Sequence, residues 1–483
     1  MRDIKKLLRS RRDMARSNEP QPTNGLPPEI ISFIAGCVLE GEVDTKAVVP
    51  LTHVCQYWRN AIISAPGNWT LISNECGKLA GLSLERAKIV PLTVSLNVDR
   101  LKPQHGLINL LRKPGFLDLL LPHFHNIVSL SCSNFSAMEE LTQALPTFPK
   151  SMHNLRSLTL TRHGRAQQSV SPDPFDFSAH KVLRELSLYN IPLSPSILRI
   201  RTLTELTLLD CHFELHIDTL LNFLEKSHSL QSASLMIKFT DPSLCHTRRQ
   251  TPVGNQLHHL SISGDEATTI QALVSGIALR TGASLEIHHS GNKTGLTGIL
   301  SGVSMAHLSN LSSPASMEYR PYPRNIRLFG PDGSFSYKDT ANSDPPFGEF
   351  HLLPITGIRE LRLECRGSWI LKQFRLSSFP SLEVLAIDGG RRVSFLSPAL
   401  PNPAYSPFLK TLALLNCVIA EEFMADLAQA ALNRENSAST SLHRVVIINS
   451  EGKFPTAASV ERLREYVSTV EVLEGTEFPR DLL

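Results

Sequence analysis

LTELTLLDCHF (Leu203 to Phe213) and LKTLALLNCVI (Leu409 to Ile419) are the two clearest copies of a phrase that recurs along this chain. Both have leucine at relative positions 0, 3 and 5, cysteine at position 8 and an apolar residue at position 10. Weaker copies begin at Ile127, Leu155, Leu183, Leu257, Ile358, Leu382 and Leu442. Most starts are about 20 to 30 residues apart, a period typical of leucine-rich repeats.

The L-x-L centre of each phrase alternates with period two, so we expect a short strand whose leucines point inward. Helical patterns follow the two best copies, ELHIDTLLNFLEKS after Phe213 and AEEFMADLAQAALNR after Ile419. Strands that alternate with helices at this period predict an α/β fold, a leucine-rich-repeat solenoid in which helices cover a parallel sheet.

Positions 2, 4 and 6 of each phrase then line the opposite, concave face of the sheet, where we expect a client protein to bind. The predicted client-binding residues are Glu185, Tyr189, Glu205, Thr207, Glu360, Arg362, Glu364, Asp388 and Arg444. Ala386, Val446 and Ile448 occupy equivalent positions. The acidic excess favours a client with basic and apolar features. At any single position the alternative is a solvated strand face without function.

The rhythm of the phrases divides the chain into segments. We predict a basic flexible segment (1–25), a small helical domain (26–72), a first part of the solenoid (73–288), an insertion rich in Gly, Ser and Pro (289–350) and a last part of the solenoid (351–483). Inside the insertion, the GPDG turn is flanked by alternating apolar residues and predicts a hairpin near 324–338.

The segment after Gly25 predicts three short helices. Two prolines open the first helix, which has apolar residues at helical spacing from Ile30 to Val38. Pro50 should divide the next helical stretch into a short piece from about Thr45 and a longer piece containing Trp58. So small a module buries little surface by itself and needs a partner or a neighbouring domain.

The patterns L-P-x-E-I from Leu26 and V-C-x-x-W-R from Val54, with a final tryptophan at Trp69, make this module resemble an F-box. The resemblance implies docking onto a Skp-family adaptor of a cullin-RING ubiquitin ligase. Carried over by position, the adaptor-facing residues are Leu26, Pro27, Glu29, Ile30, Ile34, Val54, Cys55 and Trp58. The alternative is that Trp58 and its aliphatic neighbours form only the core of a helical cap on the solenoid.

With its irregular repeats and the phrase SLERAKIVPLTVSL after the module, the whole chain resembles the divergent F-box/leucine-repeat proteins abundant in fungi. The resemblance implies a substrate-recognition subunit of an F-box-type ubiquitin ligase, whose repeats hold an unknown client protein. The alternative is a leucine-rich-repeat scaffold that recruits no ligase.

Other functional classes are disfavoured by composition and by the motifs that are lacking. A formal charge of +3 over 483 residues supports no large basic surface, so we do not expect nucleic acid as a partner. The sequence has no nucleophile elbow, HExxH zinc motif or phosphate-binding loop, so we expect neither an enzyme nor a cofactor. The pairs His258–His259 and His288–His289 should point to opposite faces of their strands, which disfavours a metal site.

Location was inferred from the cysteines and the N-terminus. The eight cysteines form no CxxC pair, the basic start has no apolar signal-peptide core, and no stretch is long enough to span a membrane. We therefore expect a cytoplasmic or nuclear protein that does not enter a membrane.

Overall fold

The computed structural model describes residues 25–40, 42, 45–97, 116–135, 152–163, 180–193, 195, 197–213, 216–239, 253–254, 256–291, 295–301, 303, 308–321, 324–340, 347–364, 375–389, 393, 396, 400, 402–436, 440–449 and 454–475. The chain forms two compact units, Met1–Leu186 and Ser187–Leu483.

The first unit begins with the helical module. Its elements are α1 (Pro28–Leu39), a 3₁₀ helix (Thr45–His53), α2 (Gln56–Ser64) and a 3₁₀ helix (Pro66–Trp69). Contrary to the sequence prediction, Pro50 does not divide the second stretch but lies inside the 3₁₀ helix. Because Pro50 is exposed and removes only one donor, a short 3₁₀ segment tolerates it.

A parallel sheet follows the module. The elements are β1 (Leu71–Ser73), a 3₁₀ helix (Asn74–Cys76), α3 (Lys78–Ala87), β2 (Leu92–Asn97), α4 (Phe116–Leu120), a 3₁₀ helix (Leu121–Asn126), β3 (Ile127–Phe135) and β4 (Ser157–Arg162). Strands β1 to β4 pair in sequence order, so that Ile72, Val94, Leu130 and Leu158 align in one row. All four side chains are buried, as the period-two pattern predicts.

Strand β5 (Glu185–Tyr189) includes the boundary between the two units. The helices of the second unit are α5 (Ile217–Lys226), α6 (Ala267–Gly276), α7 (Gly295–Leu300), α8 (Glu421–Glu435) and α9 (Ala457–Arg464). Its strands are β6 (Glu205–Phe213), β7 (Ser232–Phe239), β8 (Val253–Gly254), β9 (His259–Gly264), β10 (Ile277–Ala278), β11 (Ala283–His289), β12 (Ser316–Pro321), β13 (Arg324–Gly330), β14 (Gly333–Asp339), β15 (Glu360–Glu364), β16 (Val384–Asp388), β17 (Thr411–Leu415), β18 (Arg444–Asn449) and β19 (Thr469–Glu474). Short 3₁₀ helices cover Ile197–Arg199, Ser309–Leu311, Phe347–Leu352, Ile355–Gly357, Leu376–Ser378 and Pro403–Tyr405.

The predicted repeat fold is confirmed. One series of parallel pairs runs from β6 through β7 and β9 to β11. A second series runs from β15 through β16, β17 and β18 to β19. Leu158, Leu206 and Leu412, which the phrase places inward, are buried. Helices α5 and α8 lie where the sequence predicts them. The chain is an α/β leucine-rich-repeat solenoid.

Positions 7 and 8 of the phrase have structural roles that the sequence pattern did not reveal. Asn190, Asp210 and Asn416, all at position 7, adopt positive φ. Asn416 N donates to Ile448 O at 2.8 Å, and Asn190 N donates to Leu209 O at the same distance. Asparagine and aspartate tolerate this backbone better than most residues, which explains their recurrence at position 7.

The cysteines at position 8 bind the preceding repeat. Cys211 Sγ donates to Leu188 O at 3.3 Å, and Cys417 Sγ donates to Ile387 O at 3.7 Å. Burial raises the pKa of both thiols to about 12. These thiols are therefore neutral structural groups at physiological pH.

The segment that interrupts the repeat rhythm contributes strands to the sheet. Strands β13 and β14 form an antiparallel hairpin, β14 pairs parallel with β11, and β12 pairs antiparallel with β13 and parallel with β15. Arg324 Nη1 donates to the buried Asp339 Oδ2 at 3.2 Å across the hairpin. The hairpin thus connects the ladder before it to the ladder after it.

Candidate interaction surfaces

Helix α1 is apolar on two sides. Ile31, Ala35 and Leu39, four residues apart, are buried within the module. On the other side Ile30 is 44% exposed and Phe33 is 69% exposed. With Val38 and Val54, which are also exposed, these residues form what we call the exposed apolar face of the module. Such side chains on a short helix are the kind of anchors that helical protein interfaces use.

The residues that the F-box resemblance assigns to the adaptor differ in exposure. Pro27, Glu29, Ile30 and Val54 are exposed, and Leu26, Ile34 and Cys55 are half-buried.

Trp58 is the buried member of this set. The F-box pattern predicts an adaptor-facing tryptophan, but Trp58 is only 8% exposed and lies among the buried residues of α2 with Ala61 and Ile62. Its backbone N donates to Cys55 Sγ at 3.5 Å, which caps α2. Phe33, which is 69% exposed, is an aromatic ring available to a partner, and the adaptor-facing set did not include it. The sequence did contain a signal for this position. At helical spacing Phe33 lies on the side of Ile30 and Ile34, away from Ile31 and Ala35.

Contacts beyond Trp69 fix the module to the rest of the first unit. Within the module, Trp69 Nε1 donates to Ile62 O at 3.0 Å. From α3, the Arg86 guanidinium lies 4.2 Å from the centre of the Trp69 ring. The buried hydroxyls of Thr45 and Ser83 are hydrogen-bonded at 3.0 Å. The module therefore shares its core with α3, and its surface is best tested in the full chain.

The predicted client-binding residues lie on the sheet face opposite the leucine core, which we call the open face. Glu185 and Glu205 are exposed. Half-buried members of the set are Tyr189, Thr207, Glu360, Arg362, Glu364, Asp388 and Arg444. Each strand alternates between these side chains and buried leucine-core residues, as in β15.

Part of the predicted acidic excess on the open face is paired with arginines. Arg362 and Asp388 approach to 3.9 Å, Arg320 and Glu364 to 3.5 Å, and Arg327 and Glu318 to 3.7 Å. We call these six residues the ion-pair band. Arg444 is likewise bonded to Glu471 at 2.7 Å. Attraction of a basic client along this band is therefore weaker than the sequence suggests.

Part of the open face is unavailable to a client. Ala386, Ala413, Leu415, Val446 and Ile448 form one cluster and are at most 2% exposed. We call it the buried apolar cluster. It corrects the expectation that Ala386, Val446 and Ile448 line a solvent-accessible client site. Continuous apolar runs such as RVVIIN indicate strands buried on both faces, and the alternating interpretation overlooked them.

On the other side of the ion-pair band the open face carries short hydroxyl side chains. They are Thr207, Ser232, Ser234, Ser261, Ser263, Ser284, Ser334 and Ser336, which we call the hydroxyl-rich face. Register places Ser234 beside Thr207 and Ser261, and Ser284 beside Ser334. These side chains are half-exposed, and Ser334 Oγ donates to Ser284 Oγ at 2.9 Å.

Across the described ranges, no three His, Cys, Asp or Glu side chains come together as a metal site requires. His259 is half-buried on the open face, and His289 is buried on the other face of the sheet. None of the helices in that part of the chain combines the length and the apolar character needed to cross a membrane.

Comparisons with known proteins give similarity of fold only. No protein-family model matches the sequence, and no curated protein matches it. An internalin from Listeria monocytogenes is 12% identical, with a TM-score of 0.28 over 77% of this chain and 94% of that chain. A leucine-rich-repeat protein from Leptospira interrogans is 16% identical, with a TM-score of 0.30 over 81% of this chain and 97% of that chain.

A third structure is the leucine-rich-repeat ectodomain of a plant membrane receptor kinase, GASSHO1/SCHENGEN3 from Arabidopsis thaliana, in complex with CASPARIAN STRIP INTEGRITY FACTOR 2. It is 15% identical, with a TM-score of 0.24 over 73% of this chain and 40% of that chain. At these values the likeness says nothing about partners, and the strand register of the chain itself establishes the fold.

Proposed function

We propose that this protein is a client receptor of an F-box-type ubiquitin ligase. Its N-terminal module docks onto a Skp-family adaptor, and its repeats bind a client protein. The observation that carries the proposal is the exposed apolar face of the module, in which Ile30, Phe33 and Val54 lie within the segment that resembles an F-box. In this proposal the assembled ligase carries out catalysis. The receptor only raises the local concentration of the client near the ligase.

The expected energy of docking is concentrated in few side chains. Phe33 is 69% exposed, so a partner that covers it removes a large aromatic surface from water. Burial of a phenylalanine contributes about 1.5–3 kcal/mol, which corresponds to roughly 10- to 100-fold in affinity. Phe33 is therefore the first residue to change in a binding test.

The test is calorimetric titration of the purified full chain with a Skp-family adaptor. We expect binding by the wild type and a loss of about tenfold or more for Phe33→Asp, because the charge is placed where an apolar contact forms. Leu473→Asp is the matched control, since Leu473 is also an exposed apolar residue but lies on β19 in the second unit. Equal affinities of both variants, or no binding by the wild type, would contradict the proposal.

The second candidate is a leucine-rich-repeat scaffold that recruits no ligase. The burial of Trp58 favours it, because the large aromatic of the F-box pattern belongs to the core of the module. Trp58→Ala does not discriminate between the two, since it would leave a cavity and destabilise the module in either case. Adaptor capture by the wild type, with loss on Phe33→Asp, separates them.

A further inference from the structure

The hydroxyl-rich face is a continuous patch within the second unit. Its rows run across β7, β9, β11 and β14, where Ser234 is next to Ser261, Ser261 next to Glu286, and Glu286 next to Ser336. Since neighbouring strands lie about 4.8 Å apart, these four strands span about 14 Å, which is enough for one extended chain. Serine side chains are short, so these positions extend little from the sheet, and we call them the floor of the patch.

Longer side chains flank this floor. On the β13 side, Arg327 is next to Ser336 in register and belongs to the ion-pair band with Glu318. On the β6 side, Glu205 is exposed next to Ser232, and Lys238 is bonded to Asp210 at 2.9 Å near the ends of the strands. The serines are thus bordered by charged side chains on both sides.

The chemistry of the floor suits an extended polypeptide better than a helix. Every serine hydroxyl can donate one hydrogen bond and accept two, and an extended chain still has backbone N–H and C=O groups to satisfy. A helix has already satisfied those groups and requires apolar pockets, which a serine floor does not supply.

A carboxylate at the centre of the floor adds charge selectivity. Glu286 Oε2 lies 3.6 Å from His288 Nε2, a partner that is charged only when protonated. The carboxylates of Glu318, Glu364 and Asp388, in contrast, lie beside arginines. Lys338 is next to His288 in register and supplies a cation at the far end of the floor. Glu286 is therefore the carboxylate of this patch that a basic side chain of a partner can neutralise.

We propose that the hydroxyl-rich face binds an extended segment of a client protein, held through its backbone by the serine hydroxyls and with a Lys or Arg side chain at Glu286. The inference rests on the proposed function and assigns the client site to β7, β9, β11 and β14, away from the buried apolar cluster.

The probe is a phage-displayed library of linear twelve-residue peptides, selected on the immobilised full chain. Selected peptides are then synthesised and titrated by fluorescence polarisation. We expect them to contain Lys or Arg and to lose about tenfold or more in affinity for Glu286→Lys. Glu435→Lys is the matched control and should bind as the wild type does, because it makes the same charge change at an exposed residue of α8, which lies outside the sheet. Lys338→Glu should bind more tightly.

A second variant and a separate measurement of adaptor binding complete the test. Ser261→Arg fills the centre of the floor and should weaken binding without reversing a charge, and its thermal unfolding shows whether it folds. Failure to select any peptide, or equal affinity for wild type, Glu286→Lys and Glu435→Lys, would overturn the inference. Adaptor binding by the same preparations is measured separately, so loss of the client site and failure of ligase recruitment are distinguished.

Discussion

The hydroxyl-rich face and the buried apolar cluster occupy equivalent positions on one sheet. In both regions the residues alternate with an inner row of buried aliphatic side chains, such as Leu235 in β7 and Ile447 in β18. They differ in what stands on the other face, mostly serine in the first region and alanine, leucine, valine or isoleucine in the second, and in how far those residues are buried. The repeat phrase thus specifies the inner face, while the outer positions decide whether a stretch is available to a partner.

The largest difference should appear when a carboxylate is placed in each region. Val446 and Ser234 occupy comparable outer positions in the middle of their strands, but Val446 is fully buried and Ser234 is half-exposed. Val446→Asp should lower the free energy of unfolding by roughly 3–5 kcal/mol, because it buries an uncompensated charge. Ser234→Asp should change it by at most about 0.5 kcal/mol.

Urea unfolding followed by circular dichroism measures both variants. Comparable losses of stability in the two would show that the regions do not differ as described.

Truncation of the inner row should affect the two regions alike. Leu206 in β6 and Leu412 in β17 are both buried at position 3 of their phrases. Leu206→Ala and Leu412→Ala should each lower the free energy of unfolding by about 2–5 kcal/mol through lost burial and the cavity that remains. The same urea titration tests this, and a loss below about 1 kcal/mol at either site would argue against a shared leucine core.

A smaller effect is expected where the strand ends. Asn416 has a φ of 53°, a conformation that β-branched residues adopt with difficulty. Asn416→Val should lower the free energy of unfolding by about 1–2 kcal/mol, and Asn416→Gly should lower it by less, because glycine adopts positive φ without strain. If thermal unfolding shows equal stabilities for the two variants, backbone conformation is not what selects asparagine at position 7.

The smallest effects concern pH. Hydrogen bonds from Ser312 and Ser313 lower the pKa of Asp332 at the hairpin turn, and those from Ser459 and Thr456 lower the pKa of Glu421 at the start of α8. A carboxyl pKa lowered in the folded state contributes stability above its unfolded value, and this stability is lost as pH falls. Asp332→Asn and Glu421→Gln should therefore unfold with a shallower acid dependence than the wild type below about pH 5.

Thermal unfolding from pH 7 to pH 3 measures that slope. Slopes identical to the wild type in both variants would show that these hydrogen bonds do not stabilise the folded carboxylates.

The sequence predicted which residues are buried on the inner face of the sheet. It predicted little about which outer residues are accessible. Leucines at positions 0, 3 and 5 place β4, β6, β15 and β17 because period-two burial is a local signal. The availability of Val446 or Phe33 depends on what packs against it, which local spacing does not encode. The strands β12 to β14 were assigned to an insertion because they lack the leucine phrase, although their alternating residues pair in register with the repeats.

In the proposed function the module binds the adaptor, and the open face of the repeats binds the client. Hydrogen–deuterium exchange of the full chain, with and without a saturating Skp-family adaptor, tests it most directly. We expect slower exchange in α1 and in the 3₁₀ helix Thr45–His53, and unchanged exchange from β6 to β19. Protection along the open face with none on α1, or no protection anywhere, would contradict it.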